Sequence, residues 1–290
     1  MMTASSKLTP VLVLAAVAAC SLVRDLDELD PDARALPDAA SAGAAAPPDA
    51  EAEAEDVSTD ASASCPSEMI EQRFGDGTRF CIDRTEVTQA AYAVFLAQDA
   101  GPPVIEGCAQ NTSFHPDENA RDGGPCASAY DPVDGGDFPV VCVDHCDAAT
   151  YCAWRGVHLC GDKVGRVLEP AGLNAPDRDE WFVACSGTTR RFAPGDDLAG
   201  CVHGASAPGP ATAPGCSTPD GVLHLSGNVA EWTAACGMIR TGELRCLVRG
   251  GSFADPLAEE LECAYVEAST PIRARNHRSV TVGFRCCKDL

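Results

Sequence analysis

The chain has 290 residues, a formal net charge of −22 and 17 cysteines. Its length leaves room for one large domain or two small ones. A chain this acidic is repelled by phosphate backbones, so the composition excludes nucleic acid as a partner. Seventeen cysteines do not suit a reducing cytoplasm and indicate an oxidising compartment in which they pair.

The first 20 residues have the pattern of a lipoprotein signal peptide. Lys7 precedes an apolar run at residues 11–19 that is too short to span a bilayer comfortably. The run ends in VAAC, which resembles a bacterial lipobox with Cys20 as the lipidated residue. An ordinary signal peptide with a chance cysteine is the alternative. Ser21, in place of the Asp of the inner-membrane retention signal, favours the outer membrane. We therefore expect export and lipid anchoring to the bacterial cell envelope, on its periplasmic or surface side.

Residues 21–64 are predicted to be an acidic tether. They hold twelve acidic and two basic residues among many alanines and prolines, and they contain no aromatic residue. Such a segment cannot bury enough surface to offset its ordering entropy, and like charges keep it extended. Residues 65–290 then form the folded body.

Sixteen cysteines remain once Cys20 is set aside, and a full set of disulfides requires an even number. Four of them are closely spaced, which could also suggest a zinc site: Cys142, Cys146, Cys152 and Cys160. In an exported chain disulfides are the favoured interpretation. The other twelve candidates are Cys65, Cys81, Cys108, Cys126, Cys185, Cys201, Cys216, Cys236, Cys246, Cys263, Cys286 and Cys287.

Connectivity cannot be derived from spacing, so local pairs are hypotheses. The three we consider are Cys65–Cys81, Cys108–Cys126 and Cys236–Cys246. Adjacent Cys286 and Cys287 would point to opposite faces of a strand and should therefore have different partners.

The pattern predicts few regular elements. Residues 80–89 read as a short strand leading into a helix, with Thr88 as N-cap and Ala91, Val94 and Phe95 on one face. Gly, Pro, Asp and Asn predict long loops at 99–137, and five prolines predict another at 186–221. The remaining elements are helices at 147–154 and 178–185 and strands at 139–143, 247–253 and 282–287.

Five blocks, in this order, together resemble the formylglycine-generating enzyme family, also called the sulfatase-modifying factor family. They are CIDRTEVT at 81–88, PVVCVDHCDAATYCAWRG at 139–156, DEW at 179–181, LSGNVAEW at 225–232, and RGGSF at 249–253 with GFRC at 283–286. The resemblance implies one α+β domain over residues 65–290, related to the C-type lectin fold and sparse in regular structure.

The family's activity depends on a copper-binding cysteine pair that oxidises a substrate cysteine to formylglycine. The matching positions here are Asp255 and Glu260, counted from Ser252 of the Gly-Gly-Ser motif. Carboxylates are hard oxygen ligands and do not suit Cu(I), which prefers thiolates. Cys263 matches a non-catalytic position of the family. We therefore do not expect copper, and the chain is predicted to be a pseudoenzyme.

The family also binds calcium near the LSGNVAEW block. The oxygens that remain there belong to Gly227, Val229 and Glu231. His224 stands where the family has Asn or Asp, and imidazole is a poor calcium ligand. In the alternative interpretation, which we slightly favour, Asn228 and Glu231 buttress a buried turn and Trp232 lies in the core.

These observations lead to three functional hypotheses. The first is an envelope-anchored, non-catalytic binding or structural module whose loops at 255–267 contact an envelope protein or peptide. The second is a metal-dependent oxidoreductase with altered ligands, drawn from His145, His158, His224 or Cys263. The third is envelope architecture without a small ligand.

Overall fold

The computed structural model describes residues 64–98, 101–116, 125–163, 168, 172–187, 189–239, 241–264 and 272–290. The predicted signal peptide, Cys20 and the tether up to residue 63 lie outside these ranges. Lipidation and the domain boundaries therefore stay predictions. In the part of the chain that is described, no helix has the length and apolar character needed to cross a membrane.

The first of two sheets joins the beginning of the domain to its end. Its four strands are β1 (Met69–Arg73), β2 (Arg79–Asp83), β3 (His158–Leu159) and β8 (Cys286–Asp289). They lie in the order β1-β2-β8-β3, and all three pairings are antiparallel. The C-terminal strand is therefore central in this sheet, with neighbours on both sides.

The second sheet carries the strand that follows the LSGNV turn. Its strands are β4 (Ala230–Met238), β5 (Leu244–Arg249), β6 (Ile272–Ala274) and β7 (Val282–Phe284). The order is β6-β5-β4-β7, and β4 pairs with β7 in parallel. Glu231 and Trp232 thus lie at the start of a central strand, next to Gly283 and Phe284 of the GFRC block on β7.

Each of the three α-helices among the described residues begins at a side-chain cap. Thr88 accepts from the N–H of Ala91 and caps α1 (Gln89–Leu96), which confirms the predicted N-cap. Helix α2 (His145–Trp154) begins two residues before the predicted start because Asp144 forms a capping box with Asp147. Helix α3 (Glu180–Ser186) begins after Asp179, later than predicted.

Three predicted strands differ from the structure. Residues 139–143 form no strand beyond one bridge between Pro139 and Thr88, and Cys142 has a φ of 61° that breaks any extended run. The strand predicted at 247–253 is β5, which begins and ends earlier. The run at 282–287 is interrupted at Arg285, so β7 joins the second sheet and β8 the first.

The core between the sheets and α1 and α2 is rich in aromatic rings. Tyr92 of α1 stacks on Tyr151 of α2 with ring centroids 5.5 Å apart, and Phe284 meets both rings edge-on. Trp232 is fully buried in the same cluster, and its Nε1–H donates to the carbonyl of Val143. A second cluster surrounds Trp181 of α3.

Eight disulfides pair all sixteen cysteines of the described domain. They are Cys65–Cys81, Cys108–Cys146, Cys126–Cys142, Cys152–Cys286, Cys160–Cys287, Cys185–Cys263, Cys201–Cys216 and Cys236–Cys246. The hypothetical pair Cys108–Cys126 is wrong, because Cys126 lies against Cys142 and Cys108 against α2. The neighbours Cys286 and Cys287 have different partners, as expected for adjacent positions on a strand.

Candidate functional site

A buried ion pair lies where three of the motif blocks meet. Arg285 donates from Nη2 to Oε1 of Glu231 at 2.6 Å and from Nε to Oε2 at 2.8 Å. The indole Nε1–H of Trp181 donates to the same Oε2 at 2.9 Å. None of these side chains is more than 1% exposed. The acidic residue of LSGNVAEW therefore acts as the counter-ion of an internal arginine.

A second buried ion pair packs against the Trp181 ring. Arg249 donates to Oδ2 of Asp179 at 2.7 Å, and its guanidinium lies 4.7 Å from the centroid of the indole. Arg249 also donates to the backbone carbonyl of Cys263. Together the two pairs connect the start of α3, β4, β5 and the crossover from β7 to β8, so the motif charges hold the scaffold together.

The turn before β4 requires its two central residues. Gly227 and Asn228 have φ angles of 90° and 60°, and a Cβ on Gly227 would approach the carbonyl oxygen of Val202 to 2.5 Å. Asn228 accepts from the N–H of Gly209 at 2.8 Å and donates to Glu86 at 2.9 Å. The amide thus supports the turn from both ends, as the structural interpretation of this block proposes.

The residues around this turn do not fit the calcium ion that the resemblance implies. Both carboxylate oxygens of Glu231 accept from Arg285, whose positive charge lies where it would repel a second cation. His224 donates from Nε2 to the carbonyl of Ala213 and offers no oxygen. Burial, with the charge of Arg285, lowers the pKa of His224 to about 4. Only backbone carbonyls such as those of Gly227 and Val229 would then remain as ligands from this turn. They are too few, because Ca²⁺ takes six to eight oxygen ligands.

The buried carboxyl of Glu86 adjoins the same cluster. Its Oε1 accepts from Asn228, whereas Oε2 has no hydrogen-bond partner among the described residues. Burial raises the pKa of this carboxyl to about 8, against the opposing charge of Arg285. Burial thus favours the protonated form of Glu86, which adds no second negative charge beside Glu231.

The two positions that match the copper cysteines are occupied by carboxylates with a different arrangement. Asp255 accepts from the backbone N–H of Ser252 at 2.7 Å and from its hydroxyl at 2.8 Å, so it closes the turn after Gly-Gly-Ser. Glu260 ends a short 3-10 helix at Ala258–Glu260. This donor set does not fit Cu(I), because both groups are hard oxygen ligands.

Cys263 cannot supply a thiolate, which corrects its place in the oxidoreductase hypothesis. It is fully buried and forms a disulfide with Cys185 of α3. Every other cysteine among the described residues is likewise bridged. A thiolate site for a soft metal is thus excluded within the described domain as long as its disulfides are intact.

The three histidines of that hypothesis lie at separate places. His145 begins α2 and its Nε2 faces Sγ of the bridged Cys236 at 3.3 Å. His224 lies in the turn before β4, and His158 lies on β3 beside Glu180. Among the described residues, no cluster of three metal-ligating side chains contains two of them. The structure therefore does not bring these histidines together into one redox centre.

One feature that the sequence analysis missed is a cleft of about 300 Å³. Its lining includes Phe95 of α1 and Trp154 of α2, whose ring centroids lie 5.5 Å apart, and Phe114 from the following loop. Phe95 and Trp154 both pack against the core. The course of the loop at 101–116 determines that a cleft remains beside them.

The fold and the site together define a disulfide-linked domain of the sulfatase-modifying type. Asp255 and Glu260 stand at the two positions where the active enzymes of that type have copper-binding cysteines. The model of the sulfatase-modifying factor enzyme 1-like domain matches residues 72–290, and the chain belongs to this family. The family membership confirms the predicted α+β class and the resemblance on which it was based.

Two curated mammalian relatives bear the name inactive C-alpha-formylglycine-generating enzyme 2. The protein from Bos taurus is 30% identical over 169 residues, which cover 52% of this chain and 50% of the relative. The protein from Mus musculus is 29% identical over 169 residues, with 52% and 49% covered. The chain thus spans about half the length of these relatives. The crystal structure of CarF aligns over 78% of this chain and 99% of its own, at 19% identity and a TM-score of 0.48.

Proposed function

We propose that this protein is a non-catalytic member of the family, anchored by Cys20 to the cell envelope, whose domain binds a protein or peptide. The observation that carries the proposal is the chemistry at the two copper positions, where Asp255 and Glu260 replace soft sulfur ligands. The names of the mammalian relatives, which describe inactive enzymes, fit the same view.

A direct assay tests the catalytic part. The purified full chain is incubated with Cu(I), oxygen and a cysteine-containing peptide, and the peptide is analysed by mass spectrometry for an aldehyde product. We expect none, and we expect no stoichiometric copper to remain on the protein after gel filtration. An active family member treated in parallel shows that the assay works. Formation of aldehyde above the protein-free background would contradict the proposal.

The loops after Gly-Gly-Ser are the surface we propose for the ligand. Leu257 is 51% exposed there, and it is flanked by the carboxylates of Asp255 and Glu259. Residues 265–267 of the proposed surface lie outside the described residues. An exposed apolar side chain between acids favours a peptide with basic and apolar residues.

The binding surface is tested with a matched pair of substitutions. Leu257→Asp should abolish binding of envelope-derived basic peptides that the unmodified chain retains, as measured by fluorescence anisotropy. Val133→Asp makes a similar change at a site that is 88% exposed in a different loop, and it should leave binding unchanged. Equal losses of peptide binding in the two variants, or no loss in Leu257→Asp, would show that this surface does not bind the ligand.

A further inference from the structure

Three potential metal ligands converge at the edge of the first sheet, away from the Gly-Gly-Ser loops. His158 lies on β3, Glu180 is the first residue of α3, and Asp289 is the last residue of β8. His158 pairs across the sheet with Cys287, so Asp289, two residues further along β8, lies on the same face. The sheet register and the start of one helix therefore bring the three side chains to one place.

The distances fit a metal site that needs little movement. Nε2 of His158 lies 2.9 Å and 3.0 Å from the two carboxylate oxygens of Glu180. One ligand atom from each of the three residues lies within 4.8 Å of the others. Ligands bound to one zinc ion at about 2.0–2.2 Å are separated by roughly 3.3 Å in a tetrahedral arrangement. A bound ion would open the His158–Glu180 hydrogen bond by about 0.4 Å and draw in the Asp289 carboxylate, which ends an exposed strand.

The position of Glu180 is already fixed. Its side chain is fully buried, and the N–H of Gly161 donates to Oε2 at 2.8 Å. His158 is 20% exposed and Asp289 is exposed, so the cluster is closed on the helix side and open to water on the other. A pre-oriented ligand beside an accessible one is the arrangement in which an ion can enter and complete its shell with water.

The charges of the cluster also favour a cation. Within the described residues, neither Glu180 nor Asp289 forms an ion pair with a lysine or arginine. His158 forms a hydrogen-bonded ion pair with the buried Glu180, so zinc would have to displace the imidazole proton, and the neutral imidazole and the two carboxylates would then carry two negative charges. A divalent ion would balance both charges at once.

We propose that His158, Glu180 and Asp289 bind a zinc ion at the edge of the first sheet, with water in the remaining position. A mixed set of one imidazole and two carboxylates is typical of zinc, whereas calcium and magnesium require oxygen ligands throughout. The bound ion would connect β3, α3 and the C-terminal strand, beside the Cys160–Cys287 disulfide. This inference does not depend on the proposed function, because the site is remote from Asp255 and Glu260 in the chain and uses other residues.

The test is titration of the full chain with zinc, followed by isothermal calorimetry and by the visible absorption of bound cobalt(II). The chain is kept oxidised, so that its bridged cysteines cannot bind the metal. We expect one site, and we expect Asp289→Asn to weaken it by about tenfold or more. Asp134→Asn, an exposed carboxylate in another loop, should leave the affinity unchanged.

A second variant separates metal binding from folding. His158→Arg keeps a cation opposite the buried Glu180, so the domain should remain folded, but it removes the imidazole and should abolish the site. Zinc binding that is absent in the unmodified chain, or that persists unchanged in both Asp289→Asn and His158→Arg, would overturn the assignment.

Discussion

Arg285 and Glu231 form an ion pair that is buried from all sides, with 2.6 Å between Nη2 and Oε1. Arg285 also donates to the carbonyls of Asp83 and Leu223. The guanidinium thus satisfies groups from β2, from the loop before β4 and from β4 itself, at the point where the chain crosses from the second sheet to the first. Its role is to hold these segments together.

Glu231→Gln should destabilise the domain by about 3–5 kcal/mol, because it leaves Arg285 buried without a counter-ion. The measurement is guanidinium unfolding with the disulfides intact. Glu243→Gln is the control, because its pair with Arg245 is 43% and 33% exposed and should contribute less than about 1 kcal/mol. If both variants unfold at the same denaturant concentration, the central role of the buried pair is refuted.

The sequence alone could not assign this role to Glu231. Its partner lies 54 residues away, and only the sheet topology brings them together. The motif block alone therefore left a calcium ligand open beside the structural interpretation, which it favoured only slightly. By contrast, the Thr88 cap depends on residues three apart, and such local geometry can be predicted from sequence.

The disulfides show the same difference: pairs between neighbouring strands could be predicted from sequence, and pairs that depend on the path of a loop could not. Cys65–Cys81 connects the segment just before β1 to β2, the hairpin partner of β1. Cys236–Cys246 bridges two directly paired strands, so for both pairs proximity in sequence predicted the partner correctly. The pair Cys108–Cys126 failed because both residues lie in a long loop. Their actual partners depend on how the loop packs against α2. This packing cannot be predicted from sequence, because the loop has no periodic pattern of apolar residues.

A count of free thiols tests whether all sixteen cysteines of the domain form disulfides. The denatured, unreduced domain should give no reactive thiol, whereas after reduction all sixteen cysteines of the bridges should react. Cys263→Ser should expose one thiol, that of Cys185, upon unfolding. It should also lower stability by about 4 kcal/mol, because the bridge closes a loop with a sequence separation of 78.

The result with Cys263→Ser also bears on the proposed function. A reactive thiol in the unmodified, folded domain would mean that a sulfur ligand is available after all. The matched change Cys65→Ser, in a bridge with a sequence separation of only 16, should cost less stability on the loop-entropy argument. Equal losses would argue against that entropic account.

Acid should destabilise the domain through His145. Burial, together with the charge of Arg275, lowers the pKa of its imidazole to about 3. The native state therefore binds this proton less readily than the unfolded chain does. The stabilisation is fully present above the ordinary value of 6.5 and is lost as the pH falls towards about 3. Between about pH 7.5 and about pH 5 the loss from this one group should be about 2 kcal/mol.

The effect of His145 is measured as the difference between the unfolding free energies of two chains as a function of pH. Burial raises the pKa of Asp147 to about 7, and that of Glu86 to about 8, so both carboxyls favour folding as the pH falls. Unfolding free energies of the unmodified chain and of His145→Gln are therefore measured over the same pH range and subtracted. The difference should decrease with falling pH, and a difference that is constant with pH would contradict the assigned cause.

The predicted lipid anchor is tested by cell fractionation. Cys20→Ala removes the acceptor of the diacylglycerol, so the chain should leave the membrane fraction and be recovered in the soluble part of the envelope. Ser21→Asp keeps the acceptor and creates the inner-membrane retention signal, so this variant should stay membrane-bound but move to the inner membrane. If Cys20→Ala remains with the membranes although its signal peptide has been removed, another surface holds the protein, and lipidation is not its means of attachment.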